Sequence, residues 1–438
     1  MRAFALSVTR VWRLLLCAAV PALAVTPARA QVGESLLLPP LVPPGYNRGR
    51  NVSVLELSRK AYDSVGIRVG SFTLSPSIRS AGGVTSNTYY TANPVASTFI
   101  STVPSALLVS NWSRHQLSIS GSGAFRDYLG QTRRNESTWQ SDVRGRIDLG
   151  RFSSVTLEEN SSQQNENEFT GEVTPTVAAL SRYRRDYFSI RGTNQVGRMR
   201  TTLAVDYATF RFAPLPLLSG VVADQTYRNR SISRFTGQLE YATSPSVALF
   251  VQAGYALQRY QTDLAPGVPN VDTDYYRVIG GVNFDEAGTM RGSLGIGYNY
   301  QKPKFAQYRA GGGLALAGKL EIFPTRLTTV TINVSRSLGV TALGVNGSYT
   351  DNRVSARVER EVWHSLLVNA SASFSRQSYS LAAAGARAYT LGIGARYLSS
   401  RRIVVDGSLG YQDRRADSIL IGNSFDELRG EIGLTFKI

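Results

Sequence analysis

From residue 71 onward, apolar and polar residues alternate with a period of two, in segments of roughly ten to fourteen residues. Val330, Ile332 and Val334 alternate with Thr329, Thr331, Asn333 and Ser335. Tyr389, Leu391, Ile393, Ala395 and Tyr397 alternate with Thr390, Gly392, Gly394 and Arg396. Such a segment is a strand with one apolar face. A soluble sandwich would turn that face inward, whereas a membrane barrel would turn it to lipid. Alternation alone does not separate the two. The links separate them better. Short turns recur at 111–114, 150–153, 197–200, 243–246, 286–289, 323–326, 362–365 and 398–401. Between them lie longer polar links at 87–95, 129–135, 164–182, 213–228, 262–273, 338–348, 381–386 and 415–424, with one short exception near Lys302, Pro303 and Lys304. Tight turns on one side and long loops on the other are the asymmetry of an outer-membrane barrel. Eight turns and nine links join about 18 strands, an even number that puts both termini on the periplasmic side. A barrel of that width encloses an aqueous channel unless something plugs it.

The two ends of the chain agree. Arg2, Arg10 and Arg13 precede a short apolar run from Leu14 to Val25, and Ala28, Arg29 and Ala30 follow. This is the pattern of a secretory signal peptide over residues 1–30, with cleavage between Ala30 and Gln31. Its apolar run is too short, and too broken by Pro21, to span a membrane as a helix. Cys17, the one cysteine, lies inside it; Leu16 stands before it where a lipoprotein would carry a small residue. Residues 31–70 form a lead-in containing Pro39, Pro40, Pro43 and Pro44, with room for a short helical turn between Ser53 and Asp63. At the other end, Leu428, Gly430, Ile432, Leu434 and Phe436 alternate with Arg429, Glu431, Gly433 and Thr435. The near-terminal aromatic, Phe436, is the expected terminal signal for barrel assembly machinery. A strand in lipid must close into a barrel or leave its backbone unpaired.

Charge narrows the classes of cargo. Removing Arg2, Arg10, Arg13 and Arg29 from the 48 basic residues leaves 44 against 31 acidic, a net charge of +13. That sign suits nucleic acid, anionic lipid headgroups or an anionic solute. An exported chain rarely meets nucleic acid, so outer-membrane lipid and an anionic solute lead.

Tyr62-Asp63-Ser64-Val65-Gly66-Ile67-Arg68-Val69-Gly70-Ser71-Phe72 resembles the opening motif of the putative β-barrel porin 2 family. Ser110-Asn111-Trp112-Ser113-Arg114-His115 resembles that family's first periplasmic turn, and Gly145-Arg146-Ile147-Asp148-Leu149 the end of its fourth strand. The likeness runs from about Val52 to the C-terminus, with its specific motifs within 62–149. It departs at Ser64, where the family usually has proline, and at Ser86-Asn87-Thr88-Tyr89, where the first loop is usually rich in aspartate. The resemblance implies a link to exopolysaccharide export, with periplasmic export components as partners.

No catalytic constellation stands out, and no cofactor is expected. His115 and His364 each fall in or beside a turn near a tryptophan, Trp112 and Trp363, as residues at the membrane boundary do. With no cysteine in the mature chain, a transition-metal site is not expected. Glu158 and Glu159 alternate faces; Glu359 and Glu361 share one beside Arg353 and Arg357, which suits an ion-pair network better than acid–base chemistry. Gly311-Gly312-Gly313 lacks the lysine-serine helix start of a phosphate loop and reads as a strand kink.

The positive signal is arginine. On the alternation, Arg79, Arg126, Arg144, Arg146, Arg191, Arg234, Arg277, Arg353, Arg357, Arg396 and Arg429 fall on the lumen face. Asp142, Asp148, Asp206, Glu240, Glu359, Glu361, Asp406 and Glu431 share it. Two readings stand. The charges form a ladder that stiffens the wall, since buried polar groups are normally paired. Or surplus arginine attracts an anion, as rings of Arg do in anion pores. Tyr183, Tyr187, Tyr275 and Tyr308 at strand ends could stack on sugar faces or sit in an aromatic girdle. The expectation is an all-β, antiparallel up-and-down transmembrane barrel over 71–438. It would serve as a conduit for exopolysaccharide. The rivals are a general or anion-selective porin, and a structural or adhesive barrel.

Overall fold

The computed structural model describes residues 51–166, 169, 177–340, 348–379 and 384–438. The expected signal segment, the Ala30–Gln31 cleavage point and the lead-in up to residue 50 lie outside the described residues, as do 167–168 and 170–176 of the link at 164–182, 341–347 of the link at 338–348, and 381–383 of the link at 381–386.

Eighteen antiparallel strands form one closed sheet. In chain order they are β1 Phe72–Thr85, β2 Ser97–Ser110, β3 Gln116–Tyr128, β4 Glu136–Asp148, β5 Ser153–Asn165 and β6 Arg182–Val196. Next come β7 Met199–Phe212, β8 Arg230–Ala242, β9 Val247–Tyr260, β10 Thr273–Glu286, β11 Met290–Pro303 and β12 Gly311–Thr325. The last six are β13 Thr328–Val340, β14 Ser348–Trp363, β15 Leu366–Tyr379, β16 Gly385–Leu398, β17 Ile403–Ala416 and β18 Phe425–Lys437. Each pairs with its neighbours in sequence, and β18 returns to β1, from Ser77 opposite Lys437 to Thr85 opposite Arg429. Closure leaves no row of unpaired backbone groups, each of which would cost several kcal/mol in hydrocarbon.

Exposure settles which way the apolar face points. In β7, Leu203 and Val205 are 63% and 46% exposed, while Ala204 and Asp206 beside them are 4% and 0% exposed. Leu249, Val278, Ile296, Leu314 and Leu434 repeat the pattern. A sandwich would bury these side chains. Here the apolar residues clothe the outside and the polar ones face in. Aromatics edge the apolar band at both ends. Phe72 meets Trp112 edge-on at 5.5 Å at the turn end, and Tyr255 meets Tyr276 at 5.0 Å toward the loop end.

Some tight turns use a residue in the left-handed backbone region. Gly197, with φ +57°, opens the two-residue link between Val196 and Met199, the geometry whose twist matches a hairpin. Gly70, also at φ +57°, makes a hairpin that alternation does not reveal: Ile67–Val69 folds back on β1, pairing Val69 with Phe72. The barrel begins at Phe72. Between Ser53 and Asp63 there are only two isolated turns, closed by Leu57 N–H to the Ser53 carbonyl and Asp63 N–H to the Arg59 carbonyl. β11 runs on through Lys302 and Pro303, so the short link lies at 304–310. Gly311, Gly312 and Gly313 are regular strand, opposite Gln301, Tyr300 and Asn299, and not a kink. At Gly312 the reason is space: a Cβ there would sit 2.3 Å from the Tyr298 hydroxyl, whereas Gly313 has open space around it.

Topology has a direct check. A tag inserted at Ser219–Gly220, an exposed tip between β7 and β8, is expected to be reached by antibody on intact cells. A tag at Pro245 in the turn between β8 and β9 is expected to be hidden until the outer membrane is opened. The opposite accessibility would invert the barrel.

Candidate functional site

The interior wall is charged, and most of its charges are matched. Two local geometries do the matching. Residues two apart on one strand share a face, which brings Arg353 to Asp351 at 2.7 Å, Arg357 to Glu359 at 2.7 Å, Arg429 to Glu427 at 2.6 Å and Arg146 to Asp148 at 2.9 Å. Residues on neighbouring strands give Arg126–Glu136 at 3.0 Å, Arg144–Glu158 at 3.2 Å and Arg234–Asp206 at 2.7 Å. Arg79 bridges Asp406 and Glu431 across the closing seam, with Glu431 at 2.9 Å. Asp142 accepts from the Asn160 amide at 2.7 Å, and Arg277 stands between Gly254 and Asn299 in register. Several interior arginines differ; Arg230 and Arg414 donate to backbone carbonyls, of Arg228 and of Asn423 and Ile421. Arg191 and Arg396 have no carboxylate within ion-pair distance among the described residues, and Arg185 rests on the Asn160 carbonyl oxygen at 3.1 Å and the Tyr187 ring. Water reaches this wall unevenly: Arg144 and Arg146 side chains are 60% and 55% exposed, Arg79 and Arg353 only 16%.

A strap lies at the turn end. Residues 51–63 run along the inner rim past the ends of half the strands. Asn51 donates to the Asp285 carboxylate at 2.6 Å and to the Glu286 carbonyl at 2.7 Å. Arg291, 2% exposed, holds Glu321 at 2.6 Å, Glu56 at 2.9 Å and the Asn51 carbonyl at 2.8 Å. Val54 N–H donates to Thr329 Oγ1 at 2.9 Å, and Arg59 pairs with Glu361 at 2.6 Å. Arg401 and Lys437 then donate to the Lys60 and Tyr62 carbonyls. The lead-in therefore occupies part of the mouth. Glu56 lies outside the strands. Burial works to raise its pKa, but hydrogen bonds from Ser53 and the charge of Arg291 outweigh it and hold the carboxyl below its ordinary value.

At the loop end, several links fold inward. Tyr90, fully buried at φ +54°, packs with Phe169, Leu180, Ala388 and Phe425. Its ring lies 5.2 Å from that of Phe425; its hydroxyl accepts from Arg429 at 2.6 Å and its carbonyl from Asn423 at 3.0 Å. Arg134 covers the other side at 5.0 Å and donates to the Thr88 carbonyl. Phe169 and Leu180 belong to the link between β5 and β6, so that link reaches the wall at β16 and β18. It is held by a buried ion pair between Glu166 and Arg228, 0% and 2% exposed. Arg228 also lies 4.0 Å above the Phe212 ring and donates to Gln225 at 2.7 Å.

The tyrosines expected at the rims take other roles. Tyr183, 1% exposed, packs inside against Phe210 and Phe212. Tyr187 donates to Asp206 at 2.8 Å, Tyr275 faces in, and Tyr308 donates to the Pro269 carbonyl. None belongs to the outer girdle. Glu361 answers to Arg59 of the strap as well as to His364, while Glu158 and Glu159 stand on opposite faces, Glu159 outside beside Ser161. Phe436 is 44% exposed on the outer face, opposite Ile78 and Ile403. Glu166, Arg228 and Tyr90 carried no signal in the sequence because loop residues have no period; Arg291, on β11, holds Glu56 and Asn51, which lie far along the chain.

The family model described as putative beta-barrel porin 2 matches residues 60–438. No curated protein matches the chain. Among solved structures, the outer membrane protein opdK from Pseudomonas aeruginosa is similar at 10% identity and TM-score 0.43, covering 83% of this chain and 99% of that one. The ferric enterobactin receptor PfeA in complex with BCV-L6 is similar at 8% identity and TM-score 0.46, covering 86% and 82%. The siderophore receptor PirA from Pseudomonas aeruginosa stands at 9% identity and TM-score 0.43, covering 83% and 80%. Nothing about cargo follows from likeness of this degree.

Proposed function

The chain belongs to the putative beta-barrel porin 2 family, and from that premise we propose that it is an outer-membrane conduit for an anionic glycan, an exopolysaccharide leaving the cell. One observation carries the sign of the cargo. On a wall where most charges are matched, Arg185, Arg191 and Arg396 have no carboxylate partner among the described residues. A low-dielectric wall focuses the field of such fixed charges into the channel, and Arg rings select anions. The barrel carries no energy source of its own in this reading. Translocation is passive, or is pushed by export components on the periplasmic side, where the strap would have to yield. The link of the family to exopolysaccharide export supports the polymer over a small solute. The second reading, an anion-selective diffusion porin, is favoured by the narrowing at both rims, since small anions need no displacement of strap or loop.

Two measurements test this. A deletion strain is expected to lose secreted polysaccharide while keeping its small-solute permeability; the reverse result would support the diffusion porin. In planar bilayers under a salt gradient, the parent is expected to favour anions. R191Q/R396Q removes two unmatched charges and is expected to move the reversal potential toward cations, with a shift that shrinks as screening shortens the field to about 3 Å at 1 M salt. A cation-selective parent would overturn the anionic cargo.

A further inference from the structure

The outer face holds a second arginine feature that the conduit does not use. Strand register places Arg336 opposite Asn352, Asn352 opposite Arg376, Arg376 opposite Arg387, and Arg387 opposite Arg415. One row of four arginines and an asparagine therefore crosses β13 to β17, spanning about 19 Å at the usual strand spacing. These positions share the face of exposed Val354, Tyr389 and Leu391, so the row lies outside the barrel. It sits directly beyond Phe374 and Tyr389, whose rings meet at 5.0 Å, on the loop side of the apolar band. That is headgroup level.

Like charges directly opposite one another on neighbouring strands destabilise a sheet. Two such pairs stand side by side here, Arg376–Arg387 and Arg387–Arg415. Among the described residues, the acids nearby pair with Arg415 but not with Arg376 or Arg387. Asp413 pairs with Arg415, Asp426 lies opposite Asp413, and Asp417 caps the Gly385 N–H at 2.9 Å. Arg376 and Arg387, both exposed, have no carboxylate within ion-pair distance among the described residues. The neighbouring sequence from 341 to 347 and from 380 to 383 contains no acidic residue. Arg336 is oriented by Asn352 at 3.2 Å.

We propose that this row binds the phosphates of a glycolipid headgroup in the leaflet that the loop end faces. Guanidinium forks match phosphate in a bidentate way. A row this wide suits a headgroup carrying more than one phosphate rather than a glycerophospholipid, which presents one. The proposal rests on the loop end facing outward, and not on what passes through the lumen. The tag experiment tests that orientation separately, and a failure of polysaccharide export would leave the lipid site standing.

The full chain in phosphatidylcholine nanodiscs, exposed to bisphosphoryl lipid A, its phosphate-free counterpart or phosphatidylglycerol, tests the site by native mass spectrometry. Bisphosphoryl lipid A is expected to be retained preferentially. R376Q/R387Q is expected to weaken that retention about ten-fold or more, and R376K/R387K, which keeps charge but loses the fork, to fall between. The pair R198Q/R326Q removes equal charge at the turn end and is expected to bind as the parent does. R336Q/R415Q gives a second test should the first variant assemble poorly, with fold checked by heat-modifiable mobility. Equal retention of the phosphate-free lipid or of phosphatidylglycerol would overturn the proposal. So would unchanged binding in both loop-end glutamine variants, or an equal loss in R198Q/R326Q.

Discussion

Glu166→Ala is expected to cost about 3–5 kcal/mol locally, because it strands Arg228 in a site where its side chain is 2% exposed. The loss falls on the loop-end closure, not on the barrel, whose ladders remain intact. Arg228 would keep Gln225 at 2.7 Å and the Phe212 ring at 4.0 Å, but neither neutralises a buried guanidinium. The cheapest response is for the link between β5 and β6 to swing out and let water reach the charge. Limited proteolysis within 164–182 should then accelerate sharply, and single-channel records should show longer open events. The double variant E166A/R228A leaves no uncompensated charge, so it is expected to recover much of the closure. If the double variant is nicked as fast as the single one, the pair is not what holds the link. If neither is nicked faster than the parent, the aromatic cluster at Tyr90 and Phe425 suffices alone.

The barrel was largely legible in the chain because a strand reverses face at each residue. Arg144 and Ile147 must stand on opposite sides, and a one-residue slip would expose the whole set wrongly. The turns were legible because glycine and polar residues interrupt that period, as at Gly197 and Gly288. Contacts outside the strand ladders were not. Asn51 meets Asp285, Glu166 meets Arg228, and Tyr90 meets Phe425. None of these pairs lies within one periodic segment, so no spacing announces them. The matching of wall charges was half legible. Pairs two apart, such as Arg353 with Asp351, follow from the pleat, whereas Arg79 with Asp406 requires knowing that the last strands close on the first. The outer arginine row is a matter of register alone: Arg376 and Arg387 are eleven positions apart and face each other only because the link between them returns the strand at that offset.

The strap at the turn end ought to respond to pH, and the direction follows from Glu56. Its folded pKa lies below its ordinary value, so the contact it makes with Arg291 contributes fully above the ordinary carboxylate pKa and is lost as pH falls through the depressed one. Acidification should therefore loosen residues 51–63 at that end. Neutralising Glu56 leaves Arg291 with Glu321 at 2.6 Å and the Asn51 carbonyl at 2.8 Å, so the wall residue stays satisfied while the strap loses a tether. Glu56 is half exposed, and its effect is on the position of the strap rather than on the stability of the barrel. Arg59 holds the strap to the wall through Glu361 and braces it internally through the Val54 and Leu57 carbonyls. Arg59→Ala combined with Glu56→Gln is expected to loosen the strap, leaving the Asn51, Val54, Lys60 and Tyr62 contacts, and to raise single-channel conductance at neutral pH. Glu56→Gln alone is expected to give a smaller rise that no longer grows on acidification, whereas the parent conductance climbs as pH is lowered. Equal conductance in the parent and the double variant would mean that the strap does not narrow the passage. An acid response that persists unchanged in Glu56→Gln would rule out Glu56 as the sensor.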